Sequence, residues 1–275
     1  YNAAHWDGTR WNLTRITFRL DYGTSVSITD QIPIGSVFAP SPNDIWFVCG
    51  GVTRLKNNVW VMMNFLLTEG PGRANKIWGT SSNDMYFVAN NGLIIHYNGT
   101  TFTKLESGTI HNIYDIWGAT NPKTNETEIL AVGNLYPDNV DRIILKIYDL
   151  SVSTLSDSNI SWTLSGVWFI PNKHYYVVGS GIYEKQRLSD IRWQNEPTQI
   201  TTYSTAGVRG TFLNNVFVAG AYGEFLHFNG VSWRSYRTSG TGLSDGAYGP
   251  IALKGNTVFT VGQLGNRGIV LRMRR

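Results

Sequence analysis

A short pattern recurs six times along the chain, and a recurrence of that period limits the architecture more than any other feature. An aromatic-apolar run ending in valine and a small residue reads DIWFVCG, DMYFVAN, EILAVGN, HYYVVGS, NVFVAGA and TVFTVGQ. Its valines are Val48, Val88, Val132, Val178, Val218 and Val261, spaced by roughly 40–46 residues. A glycine-bearing turn and a second apolar segment follow, as in LIIHYNG, FLHFNG and IILKIYD. A third segment then comes, as in TTFTKL, VSWRSY and NVWVMM.

Each copy therefore reads as four short strands. SPND and SSND suit a first hairpin, and the Asn-Gly of HYNGT and HFNGV is a strong signal for another. Both faces of these strands are apolar, as required where sheets pack face to face. Four-stranded units of about 40–45 residues, repeated six times, are blades of a β-propeller. The expected fold is all-β, a single six-bladed β-propeller domain over residues 1–275 with four-stranded antiparallel blades. The blades fall near 33–66, 74–106, 112–155, 164–200, 205–238, and 248–275 plus 3–18. The last copy supplies three strands and HWDGTRWNLTRI begins with the tail of a unit. The N-terminal strand is therefore expected to pair with the C-terminal blade and close the ring.

Composition agrees with many turns and little helix: 29 glycines, 13% aromatic residues and 15% charged residues. The net charge is only +4, and the basic residues are scattered singly apart from the terminal RMRR, so no nucleic-acid partner is expected. Cys49 stands alone, which rules out an intrachain disulfide and a cysteine-based zinc site. VWVMMNFLL, the longest apolar run, is half a membrane span, so no transmembrane segment is expected. The chain begins on Tyr1 rather than Met, and the expectation is a removed leader or a start inside a longer polypeptide.

The pattern W-G-[ST]-x-x-[ND] followed by H-[YF]-[ND]-G-x-x-[WF], clearest at 78–102, resembles the propeller repeats of bacterial secreted and surface proteins. The resemblance spans the chain, with RIILKIYDL and GIYEKQRLSD departing from it by lacking the Asn-Gly turn. DGTRW and NGVSW are distantly similar to the Asp-box of sialidase-like propellers, without its spacer residue before glycine. Gly-His pairs do not occur, and Trp-Asp (6–7) and Gly-Gly (50–51) occur once each, so the recurring pairs of WD repeats and doublets of kelch repeats are lacking. The resemblance implies an extracellular, periplasmic or cell-surface location and no single activity.

Several residue groups invite a chemical interpretation. His5, His96 and His227 would suit a metal, but they fall at equivalent places in different repeats, too far apart for common ligation. The Asn-Asp pairs at 43–44 and 83–84 lack further oxygen ligands at calcium-loop spacing, which favours turn residues bonding their own backbone. Phe38, Trp78, Trp117, Trp168 and Arg209 share one position on the innermost strand. They are either platforms for sugar faces or wedges between blades, and the small residues after them (Ala39, Gly79, Gly118 and Gly210) favour wedging. No serine elbow, phosphate loop or His-Glu-x-x-His is present. No catalytic residue, metal or cofactor is assigned.

The longer, more varied loops form one end of such a fold, and binding residues concentrate on loops held by a rigid frame. The candidate binding residues there are Arg73, His111, Tyr114, Asp115, Tyr203, Arg209, Tyr222, Tyr248 and Arg267. The expected function is non-enzymatic recognition of a protein or glycan, by a monomer or a part of a larger surface assembly. One alternative is a sialidase-like hydrolase or lyase, for which Arg54, Arg142, Arg209 and Arg267 would have to converge with carboxylates. A structural subunit of a surface assembly is another, and it would present a broad apolar patch.

Overall fold

The computed structural model describes residues 1–21, 25–64, 73–135, 141–195, 200–237 and 245–274. Two hairpins open the chain: β1 (Ala3–Trp6) with β2 (Trp11–Thr14), and β3 (Phe18–Asp21) with β4 (Val26–Thr29). Six antiparallel sheets follow in simple chain order, one per repeat. The first holds β5 (Ser36–Ser41), β6 (Asp44–Cys49), β7 (Gly51–Lys56) and β8 (Val59–Met63). The second holds β9 (Ala74–Ser81), β10 (Asp84–Ala89), β11 (Ile94–Tyr97) and β12 (Phe102–Leu105). In the third are β13 (Asn112–Thr120), β14 (Thr127–Asn134), β15 (Arg142–Tyr148) and β16 (Ser151–Thr154). The fourth comprises β17 (Leu164–Ile170), β18 (His174–Gly179), β19 (Gly181–Lys185) and β20 (Gln194–Asn195). The fifth comprises β21 (Thr205–Phe212), β22 (Asn215–Gly220), β23 (Phe225–Phe228) and β24 (Trp233–Ser235). The sixth has three described strands, β25 (Ala247–Lys254), β26 (Thr257–Leu264) and β27 (Arg267–Arg274). The fold is all-β, a six-bladed β-propeller.

Turn chemistry sets the hairpins. At Asp7, Asn98 and Asn229 a side-chain oxygen accepts backbone N–H groups two and three residues on, at 2.8–3.0 Å. The glycine after each lies at φ 96–104, where any other residue is strained. At Gly99 and Gly230 space adds a second demand, because a Cβ would meet Asn83 Oδ1 at 2.5 Å and Asn214 Cβ at 2.6 Å. Where the Asn-Gly pair is lacking, Asn57–Asn58 and Asp149–Leu150 take two successive left-handed conformations, the geometry of a two-residue hairpin.

Two compact units divide the chain: 1–114 with 149–152, and 115–148 with 153–275, so that the boundary runs through the third sheet. In the first unit, Trp46, Val48 and Val52 pack on Ile77, Phe87, Ile95 and Tyr97 of the second sheet. The opposite side is covered by β3, through Phe18 and Leu20 with Cys49, while Thr53 Oγ1 donates to Thr17 O at 2.6 Å. In the second unit three interfaces follow one another. Leu130, Val132 and Ile144 meet Val167, Phe169 and Val177; Trp168, Tyr176 and Val178 meet Val208, Val216 and Val218; Phe217 and Phe225 meet Tyr248, Ile251 and Val258. Strand β22 is buried along its whole length, which explains the unbroken apolar run from Val216 to Ala219.

The N-terminal strands pair with each other. β1 takes β2 as its partner, and the sixth sheet has no fourth strand among the described residues. Local chemistry accounts for this. The Asp7 carboxylate accepts from Arg10 N, from Thr9 N and Oγ1, and from Asn12 Nδ2. These bonds, the one from Arg10 N foremost, hold its pKa well below the usual carboxylate range. A short hairpin whose turn is held by these bonds closes at little entropic cost.

Candidate functional site

An aromatic-cationic cluster lies on the loops of the fifth sheet. Strand β22 ends at Gly220, and a single 3-10 turn, Ala221–Gly223, carries the chain to β23. Ala221 N donates to Ser204 O at 2.9 Å and Gly223 N to Gly246 O at 2.8 Å, so the turn is held at both ends. Between these anchors Tyr222 sits at φ 55, ψ 34, a left-handed conformation that an L-residue with a bulky side chain rarely adopts. Its cost is of order 1–2 kcal/mol. Strain of this kind concentrates at functional sites.

Tyr222 is 51% exposed, and its ring stands 5.0 Å from that of Tyr203 at an interplanar angle of 50°. The Arg237 guanidinium lies over the Tyr203 ring at 4.4 Å, and its Nε donates to Tyr222 O at 2.8 Å. Behind it, the buried Glu224 carboxylate accepts from Ser235 Oγ at 2.6 Å, and Ser235 Oγ accepts from Arg237 N at 3.3 Å. Two rings and one guanidinium are thus fixed relative to one another by backbone contacts. Such a group offers wide contact area and directional donors at little entropic cost.

Sequence reasoning named Tyr203 and Tyr222 but missed Arg237. Its only signal was its place after WRSY, where the chain leaves the fourth strand of that sheet.

Other sequence candidates occupy different settings. Asp115 and Arg209 form a buried bidentate ion pair, and Tyr248 is 4% exposed within the core beside Phe217 and Ile251. Burial pushes the Tyr248 phenol up. Arg73 is exposed beside Gly50, and its carbonyl accepts from Asn90 N at 3.1 Å. His111 is half-buried, with Nδ1 at 2.5 Å from Thr109 Oγ1, and half-buried Tyr114 has its hydroxyl 3.5 Å from Asn112 Nδ2. Arg267 is exposed at the start of β27.

The repeated polar residues find a structural task. In the first, second, fourth and fifth sheets a side chain at or near the head of the second strand pairs across to the third. Asp44 holds Arg54 (2.7 Å), Asp84 holds His96 (2.9 Å), His174 holds Glu184 (2.7 Å) and Asn215 holds His227 (3.1 Å). An aromatic ring supports each: Trp46 under Arg54 at 4.4 Å, Tyr86 beside His96 at 4.7 Å, Tyr176 beside His174 and Phe217 beside His227, both at 4.4 Å. This corrects the reading of Asp44 and Asp84 as residues that only cap their own turns. Among the described residues no group of three or more His, Cys, Asp or Glu could hold a metal ion.

The aromatic position on the first strand is also settled by register. Phe38 pairs with Trp46, Trp78 with Tyr86, Trp168 with Tyr176, and Arg209 with Phe217. Trp168 wedges between sheets, since a Cβ on Gly210 would meet its Cη2 at 2.6 Å. Arg54, Arg142 and Arg209 are each held in an ion pair, with Asp44, Asp157 and Asp115 respectively.

No protein-family model matches the chain, and no curated protein matches it. Solved structures do. The structure of YCF48 bound to a D1 peptide aligns over 93% of this chain and 83% of its own, with a TM-score of 0.66 and 16% identity. The WD40 β-propeller domain of Doa1 aligns over 89% and 83%, with a TM-score of 0.61 and 13% identity. An ancestral GH74 enzyme aligns over 85% of this chain and 35% of its own, with a TM-score of 0.58 and 16% identity. At these identities the likeness shows the fold, a β-propeller.

Proposed function

We propose that the chain is a protein-binding propeller that grips an extended segment of its partner on the Tyr203–Tyr222–Arg237 platform. The observation that carries this is Tyr222: an exposed aromatic ring held in a strained backbone conformation, with its neighbours locked around it. The equivalent turn of the second sheet, Asn91–Gly92, fills this left-handed position with asparagine, which tolerates it, so a bulky exposed ring there is a departure that supports a role in binding. The similar propeller YCF48 was solved with a peptide bound, which makes a peptide the natural first class of ligand to test.

A glycan ligand fits less well. Sugars stack on a flat aromatic face, whereas these two rings meet at 50° and one of them already carries the guanidinium. A sialidase-like activity would need arginines available for an anionic sugar, and Arg54, Arg142 and Arg209 are committed to carboxylates. Recognition without turnover, at the cell surface or outside the cytoplasm, is the function we favour.

Selection of a displayed library of random dodecapeptides tests this, alongside a glycan array. The wild-type protein should enrich a peptide motif that Tyr203→Ala/Arg237→Ala loses while its melting temperature stays within a few degrees. Equal enrichment by the variant, or glycan binding alone, would overturn the proposal.

A further inference from the structure

The hairpin tips of the second and fifth sheets share a scaffold and differ in chemistry. In both, a threonine bonds the polar residue four places on across the first hairpin, Thr80 with Asp84 and Thr211 with Asn215, each at 2.6 Å. In both, the asparagine before that residue (Asn83, Asn214) abuts the glycine of the second turn (Gly99, Gly230), which closes on Asn98 or Asn229. The second sheet fills the remaining tip positions with Ser81, Ser82 and Thr100, and the fifth fills them with Phe212, Leu213 and Val231. These three are 68%, 42% and 90% exposed. The polar set builds the same turns, so folding does not require the apolar one.

The fourth sheet continues this surface. Its inner strand β17 runs beside β21 in the same sense: Gly166 lies beside Gly207, and further along Trp168 reaches Gly210. The turns at 171–173, between β17 and β18, and at 186–193, between β19 and β20, therefore stand at the same end as the tips of the fifth sheet. They carry Ile191, 81% exposed, and the exposed cations of Lys173, Arg187 and Arg192. None of these cations is held in an ion pair among the described residues. The one carboxylate in the turns of the two sheets at this end, Asp190, is half-buried and accepts from Arg187 N at 2.8 Å.

Apolar side chains on convex tips, flanked by cations and by no exposed carboxylate, match one kind of surface closely. A folded partner would need a separate hollow for each tip. The interfacial layer of a bilayer is apolar and deformable, and anionic lipids make it negative.

We propose that this end of the fourth and fifth sheets docks on an anionic lipid bilayer. Ile191, Phe212, Leu213 and Val231 enter the interfacial layer, and Lys173, Arg187 and Arg192 meet the headgroup anions. The Tyr203–Tyr222–Arg237 platform lies at the other end of the fifth sheet, because Ala221–Gly223 joins β22 to β23, whereas the tips join β21 to β22 and β23 to β24. Docking on the tips turns the platform away from the bilayer. The tips do not depend on the platform.

Flotation with vesicles of equal parts phosphatidylcholine and phosphatidylserine tests this. The wild-type protein should float with them, float much less with phosphatidylcholine alone, and be released by salt. Phe212→Ser/Leu213→Ser/Val231→Thr, which installs the residues of the second sheet, should lower partitioning by about tenfold or more while the melting temperature stays within a few degrees. Lys173→Gln/Arg187→Gln/Arg192→Gln should lower it by about fivefold per charge removed. An environment-sensitive dye on Val231→Cys, the native Cys49 being buried, should shift to the blue on the mixed vesicles. Tyr203→Ala/Arg237→Ala should float as the wild type does. Failure of the wild type to float, equal flotation of the serine-threonine variant, equal flotation on both vesicle types, or an unshifted dye would overturn the proposal. A dimer that sedimentation detects in the wild type without vesicles, and that the serine-threonine variant loses, would assign the tips to a second copy instead.

Discussion

Arg209 and Asp115, 94 residues apart in the chain, are joined by two parallel hydrogen bonds of 2.8 and 2.9 Å. The pair ties three sheets together. Asp115 lies on β13 and also accepts from Val167 N at 3.0 Å, while Arg209, on β21, donates to Val167 O and lies over the Trp117 ring at 4.8 Å. Side-chain exposures of 9% and 6% mean that water screens little of this interaction. Removing one partner strands the other as a buried charge, at a cost of about 3–5 kcal/mol. Asp115→Ala and Arg209→Met should each lose about that much in urea unfolding. The double variant should lose clearly less than the sum, because no lone charge remains.

Gly210 and Trp168 test the wedging of the inner aromatic row. A methyl group at position 210 would meet Trp168 Cη2 at 2.6 Å and Asn215 O at 2.8 Å. Overpacking of this kind costs about 1–3 kcal/mol, so Gly210→Ala should lower the unfolding free energy by that amount. Adding Trp168→Phe, which withdraws the clashing edge, should recover part of the loss. Additive losses would mean that the two residues do not share the contact.

How much of this the sequence revealed depends on the range of each interaction. The six sheets, the Asn98–Gly99 and Asn229–Gly230 turns, and the place of Arg209 in the aromatic row are written in local spacing, and each was legible. The partner of Arg209 was not, because Asp115 reaches it through tertiary packing. Tyr248 read as a loop tyrosine because YG follows a glycine-rich stretch, yet β25 begins at Ala247 and turns the ring inward.

Tyr248 and Tyr222 should therefore respond in opposite ways to truncation. Tyr248→Ala empties a buried ring site and should cost about 3 kcal/mol, read as a shift in the denaturation midpoint at unchanged slope. Tyr222→Gly removes an exposed ring and relieves the left-handed strain, so its stability should stay within about 1 kcal/mol of wild type. A large loss at Tyr222 would make that residue structural, and the platform would lose its claim to function.

Glu128, at the head of β14, supplies a pH dependence. Burial raises its pKa above the ordinary 4.5, although the Tyr175 hydroxyl and the Lys146 charge pull the other way. The folded protein thus holds this proton to higher pH than the unfolded chain does. Over that interval the unfolded state binds fewer protons, so stability declines as pH rises from about 4.5 and levels off above the folded value. Glu128→Gln keeps the shape, cannot ionise, and should remove this part of the slope. Its gain over wild type should be larger at neutral pH than at pH 4, measured by urea midpoints in a fixed ionic strength. Parallel stability profiles for the two proteins would mean that the carboxyl is solvated in the folded state.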